Sequence, residues 1–121
     1  MLVVNRFTVA RDASDAFMEK ARAAVNTLAA RPGFIRARLG RSVDEPDSWC
    51  LVTEWESVGA YRRALGDFDV RLYATPLLAE AVDEPSAFEI LTAWDETGVV
   101  ISDSDRAVDA DTTRIGEPPR D

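Results

Sequence analysis

An α+β domain with the element order β-α-β-β-α-β and one four-stranded antiparallel sheet is predicted by three observations. Apolar and polar residues alternate with period two at Leu2–Val9, Phe34–Ser42, Ser48–Glu56 and Ala87–Trp94. Apolar residues recur with the helical period over 14–30 and, with a break, over 57–82. Turn residues separate these stretches: Pro32-Gly33, Pro46, Gly66-Asp67 and Glu84-Pro85.

The first strand, rich in Val, Phe and Thr, splits into Val3, Asn5, Phe7 and Val9 on one face and Leu2, Val4, Arg6 and Thr8 on the other. Arg11–Ser14 is a turn, with Asp12 or Ser14 as the expected cap of the first helix. That helix carries Phe17, Ala21, Ala24, Val25 and Leu28 on one stripe. Pro32 removes a backbone donor and Gly33 permits positive φ, so the helix stops there. The second and third strands form a hairpin around the polar turn Val43–Asp47, with Trp49, Leu51, Thr53 and Trp55 sharing a face. Ser57 caps the next helix, which carries Val58, Tyr61 and Leu65. After Gly66-Asp67 the helix resumes over 69–82, with Val70, Tyr73, Leu77 and Ala81 expected inside and a kink at Pro76. Ala87–Trp94 is the expected last strand.

This order is the ferredoxin-like split βαβ. Its helices cover one sheet face only. The other face is substantially apolar, so a second copy of the sheet, and hence a homodimer, is expected to cover it. Residues 1–94 form the expected domain. Residues 95–121 hold 8 acidic and 3 basic residues and end near Pro118-Pro119, which predicts an acidic, disordered tail; a short strand at 98–102 joining a partner sheet is the alternative.

Composition narrows the chemistry. The 121 residues suit one domain. No apolar run approaches the roughly 18 residues of a membrane span, and the start of the chain lacks the pattern of a signal peptide. A single cysteine, Cys50, allows no internal disulfide and fits a reducing, cytoplasmic setting; it reads as a small strand residue. The net charge of −8 lacks a basic stripe, which argues against nucleic acid. The chain has no histidine. That removes the commonest general base, the usual imidazole ligand of zinc or haem and the centre of a Ser-His-Asp triad. No Gly-rich phosphate loop is present.

Val3-Val4-Asn5-Arg6-Phe7, Arg31-Pro32-Gly33-Phe34 and Trp55-Glu56-Ser57-Val58-Gly59-Ala60-Tyr61, in this order and spacing, make residues 2–92 resemble the antibiotic biosynthesis monooxygenase family of the dimeric α+β barrel superfamily. The resemblance implies a homodimer whose sheets pack into a barrel, with a pocket between helices and sheet in each subunit. It also implies a choice of activities, since relatives include oxygenases that act on polyketide-type phenols without metal or flavin, and haem-degrading proteins. The latter resemble this chain at Asn5, but the tryptophan and the iron-ligating histidine they need fall near Ala64 and Ala74 here. Haem degradation is therefore disfavoured and no cofactor is expected.

Asn5 is the candidate catalytic residue, a lone amide among Val3, Phe7 and Val9. It is either satisfied by nearby backbone or water, or donates to a substrate carbonyl or phenolate oxygen. Cofactor-free oxygenation first needs an electron-rich substrate anion, which a fixed donor in a dry pocket stabilises. Phe7, Trp49, Trp55, Tyr61, Tyr73 and Arg38 are the candidate substrate-binding residues. The tryptophans serve as core or as an aromatic wall. Arg36 and Arg38 share a strand face and either pair with Glu54, Glu56 or Glu89, or supply a cation to an enolate. No carboxylate stands out as a base. Three functions follow as expectations: a cofactor-independent monooxygenase acting on an aromatic or polyketide-like molecule, a non-catalytic binder of an apolar metabolite, or a structural and regulatory dimer.

Overall fold

The computed structural model describes residues 1–104. Of the tail expected to be disordered, 95–121, residues 105–121 lie outside the described residues, while Gly98–Ile101 is a strand. The chain divides into two compact units, with the boundary after Phe88.

In the first unit, strands β1 (Leu2–Thr8), β2 (Phe34–Arg41), β3 (Ser48–Trp55) and β4 (Ala87–Phe88) form one sheet in the order β2-β3-β1-β4. Every adjacent pair is antiparallel, as the ferredoxin-like order requires. Asn5 lies opposite Leu51 and Phe7 opposite Trp49. β3 alternates buried and half-buried along its whole length, with Trp49, Leu51, Thr53 and Trp55 inward. Opposite-face residues Val4, Cys50 and Val52 are half-buried. No helix of the described residues is long and apolar enough to cross a membrane.

Helix α1 (Ser14–Ala29) buries Phe17, Ala21, Ala24 and Leu28 on the core, as its period predicts. Its start differs from expectation. A 3₁₀ turn at Arg11–Ala13 runs straight into it, so Ser14 has helical geometry and its hydroxyl donates to the Arg11 carbonyl. Neither Asp12 nor Ser14 caps, because a cap needs extended backbone just outside the helix.

Past α1, Gly33 has φ +89, and a Cβ there would lie 2.4 Å from the Ala60 Cβ. Both facts require glycine. The Gly33 carbonyl accepts from the Glu56 amide at 2.8 Å, and the Phe34 ring packs edge-on to Trp55 at 5.3 Å. Trp55 also meets Tyr61 at 5.6 Å. Two stretches far apart in sequence, 31–34 and 55–61, thus form one joint.

Helix α2 (Val58–Leu65) starts at Ser57, whose hydroxyl accepts from the Ala60 amide at 3.1 Å. The following helical segment is divided: α3 (Phe68–Tyr73) is capped by Asp67, and α4 (Thr75–Leu78) carries Pro76 in its first turn. Pro76 has no N–H to continue α3, so the break falls just before it, at Ala74. Val70, Ala74 and Leu77 are buried at the helical i, i+4, i+7 spacing, and Tyr73, expected inside, falls beside that stripe and is 56% exposed.

The expected single strand over Ala87–Trp94 is also divided. Only Ala87 and Phe88 pair with β1. Beyond them, the β1 edge is met by the 82–86 loop: Val82 N–H donates to the Arg6 carbonyl and Val4 N–H to the Ser86 carbonyl. In the second unit, β5 (Thr92–Asp95) pairs antiparallel with β6 (Gly98–Ile101). Asp95 closes their turn by accepting from the Thr97 hydroxyl and, at 2.7 Å, from the Thr97 amide; the hydroxyl first and then the amide hold its carboxyl below the ordinary carboxylate range.

Candidate functional site

The candidate site lies on the helix-facing side of β1 and β3. Alternation sends Asn5 to that side with Val3 and Phe7. Asn5 is half-buried, and among the described residues its side chain has no hydrogen-bond partner. Trp49 is buried, and its indole Nε1 has no partner either. A buried donor left unpaired costs about 1–3 kcal/mol, and the Arg31 Nε is buried without a partner in the same way. By register the two residues are diagonal neighbours on adjacent strands, a placement that separates them by about 7–8 Å. The sequence showed the Asn5 amide as a donor. The indole donor was missed, because Trp49 was weighed only as a flat ring.

Aromatic packing surrounds Trp49. Phe7 meets Phe17 at 5.1 Å and Phe17 meets Trp49 at 5.3 Å, edge to face. The Arg41 guanidinium lies over the Trp49 ring, 5.4 Å from its centroid. Trp55 is fully buried and its indole N–H is satisfied by the Thr53 hydroxyl at 2.9 Å. Trp55 and Phe7 thus fill core space. Tyr61 is half-buried beside Trp55, and burial raises its phenol above the ordinary range. It stays protonated, so it suits donation of a proton rather than removal of one. Arg38 pairs in register with Val52, on the side away from the helices, while Arg36 reaches Glu54 at 4.0 Å.

Three hollows open along α1, and Asn5 lines none of them. One of about 150 Å³ has an apolar floor of Ala21, Val25, Ala37, Leu39 and Leu51, with Arg22, Asn26 and Arg38 also lining it. A space of that size takes a single ring. The other two, about 440 and 320 Å³, share Tyr73 and lie between α1 and the α3–α4 segment. Arg31 and Asp67 face each other at 3.3 Å beside the larger one. The sequence marked Asp67 only as a helix breaker; its spacing from Arg31 held no signal for that pairing. Ala64 and Ala74 are both buried in the core. Among the described residues no group of three or more Cys, Asp or Glu side chains is placed to hold a metal ion.

The model of the antibiotic biosynthesis monooxygenase family matches residues 1–71. The chain belongs to that family. Among solved structures it is similar to SnoaB, a cofactor-independent oxygenase from Streptomyces nogalater, at 32% identity and a TM-score of 0.60, covering 73% of this chain and 92% of that one. A variant of SnoaB matches at 33% identity and a TM-score of 0.59, covering 67% of this chain and 82% of that one. A conserved protein from Methanosarcina mazei Go1, at 19% identity and a TM-score of 0.58 over 71% of this chain and 84% of that one, shares the fold. No curated protein matches the chain.

Proposed function

We propose that this protein is a cofactor-independent monooxygenase acting on an enolic or phenolic aromatic molecule of the polyketide type, as a cytoplasmic homodimer. The observation that carries the reading is the pair of unpartnered donors, Asn5 and the buried Trp49 Nε1, on one face of adjacent strands in a member of this family. Similarity to SnoaB supports the absence of a cofactor.

In this reading the substrate loses a proton to give an enolate or phenolate. The Asn5 amide, with the Trp49 indole N–H beside it, donates to the developing oxyanion, and the low-dielectric surroundings strengthen those bonds. The anion passes one electron to molecular oxygen, and the two radicals combine at carbon to a peroxide. Loss of water then leaves a new carbonyl: one oxygen atom enters the product and the other leaves as water. Phe7 and Trp55 are in this reading the packed core behind the site, while Arg38, on the other sheet face, and Tyr73, exposed beside α1, take no part in it.

The test is oxygen uptake with anthrone-type and enolic substrates. Asn5→Ala is expected to lower kcat by roughly 10²–10³, the usual cost of one oxyanion donor, with a smaller change in KM. Equal turnover in Asn5→Ala would overturn the assignment. The second reading, a binder without turnover, is favoured by one observation: the chain has no histidine to serve as a base, and burial shifts the Tyr61 phenol the wrong way to act as one. Tight binding of these molecules without oxygen uptake would support it.

A further inference from the structure

Helix α1 and the outer strand β2 leave a gap where they meet. The apolar residues facing it are Ala21 and Val25 of α1, Ala37 and Leu39 of β2, and Leu51 of β3. Ala21 and Ala37 end at Cβ, so neither fills the space between helix and strand. The hollow measures about 150 Å³, a size that takes one six-membered ring. Val25, Ala37 and Leu39 are half-buried while Ala21 and Leu51 are buried, so its mouth is open and its floor closed. Sheet order puts β3 between β2 and β1, so Leu51 separates the hollow from Asn5, its register partner.

The rim is cationic, in a chain of net charge −8. Arg22 and Asn26 stand one helical turn apart on α1, exposed at the margin of the stripe that carries Ala21 and Val25. Arg38 completes the rim. Its register is to the far face of β2, but β2 is the outermost strand and its edge borders the hollow. Among the described residues neither Arg22 nor Arg38 has an ion-pair partner, and no carboxylate lines the hollow. A mostly apolar hollow with a few polar groups at its rim is the usual form of a small-molecule site. These groups define the ligand. Its body is apolar and one ring wide. Its head is a planar anion, which a guanidinium grips through two parallel hydrogen bonds. A carboxylic acid is ionised at neutral pH and meets both demands, whereas a simple phenol is neutral there. Inorganic phosphate has the charge but nothing for the floor.

We infer that the α1–β2 hollow is a binding site for a monocyclic carboxylate, its ring on Ala37, Leu39 and Leu51 and its carboxylate held by Arg22, Arg38 and Asn26. The site is separate from Asn5 and does not depend on the oxygenase reading. Benzoate is the probe, titrated into the full chain and followed by backbone amide NMR. The signals of residues 21–26 and 37–39 should shift together and saturate at one ligand per chain. Benzamide, the same ring with a neutral head, should bind at least about tenfold more weakly, and added salt should weaken benzoate alone. Arg22→Ala should weaken benzoate about tenfold, and Arg22→Lys, which keeps the charge but loses the fork, should recover part of that. Val25→Phe, which fills the hollow, should abolish binding, and Asn5→Ala should leave it unchanged. Arg22 is exposed, so its variants keep the test decisive even where Val25→Phe fails to fold. Four results would each overturn the inference: no saturable shift at 21–26 and 37–39, equal binding of benzoate and benzamide, full affinity in Arg22→Ala, or a loss caused by Asn5→Ala, which would put the ring in the Asn5 site instead.

Discussion

Strands β3 and β5 both carry tryptophan, with opposite outcomes. Trp55 of β3 is 0% exposed, hydrogen-bonded to Thr53 and flanked by Phe34 and Tyr61. Trp94 of β5 stands 73% exposed on a ribbon of two strands. Strand-forming sequence is present in both. The difference is the second layer: α1 and α2 lie over β3, while β5 pairs only with β6. A tryptophan contributes to stability through what covers it, and composition alone does not report that.

The largest test of this contrast is a pair of truncations. Trp55→Ala should destabilise the Met1–Phe88 unit by about 3–5 kcal/mol, read by urea unfolding. Trp94→Ala in dilute protein should change the same transition by no more than about 0.5 kcal/mol. Comparable losses would remove the contrast. The glycines give a second comparison. Gly33 has positive φ and sits against Ala60, so Gly33→Ala should cost about 2–4 kcal/mol from backbone strain and overpacking together. Gly98 has φ +133 but meets nothing within 4 Å, so Gly98→Ala should cost only backbone strain, about 1–2 kcal/mol, confined to the hairpin. Hydrogen exchange resolves the two locations.

Removing the α2 cap by Ser57→Ala should cost about 1 kcal/mol, and Ser57→Asp should recover most of it. The smallest effect concerns pH. Arg6 hydrogen-bonds Glu84 through two nitrogens and holds its carboxyl below the ordinary range. A carboxylate lowered on folding adds stability above its unfolded pKa and loses it as pH falls through the lowered value. Glu84→Gln should therefore flatten the acid side of the stability profile slightly and leave neutral pH almost unchanged, since the pair is solvated.

Much of this was legible in the chain. Period-two alternation placed β1 and β3 and chose their inward faces. Pro32-Gly33 and Ser57 marked the joint, though its closeness, with Gly33 against Ala60, depends on tertiary contact. The last strand was less legible. Ala87–Trp94 reads as one run, yet only Ala87 and Phe88 meet β1, where the 82–86 loop takes the remaining edge positions. Tyr73 was assigned inward at i+3 from Val70, but the buried stripe runs through Ala74 at i+4, and Tyr73 is left at its exposed margin. Asn5 stood out as a polar residue on an apolar face. The Trp49 donor did not, because an indole N–H becomes informative only when its surroundings offer no acceptor.

β2 is the outer strand of its sheet, bears a register shift between Phe34 and Arg36, and shows exposed Arg36, Arg38 and Arg41 along its length. A foreign strand approaching that edge meets three guanidinium groups and an irregular ladder. The opposite edge offers only two paired residues before the 82–86 loop closes it. Fibril growth by strand addition is thereby blocked at both ends of the sheet, so the protein can present an apolar sheet face without polymerising along its edges.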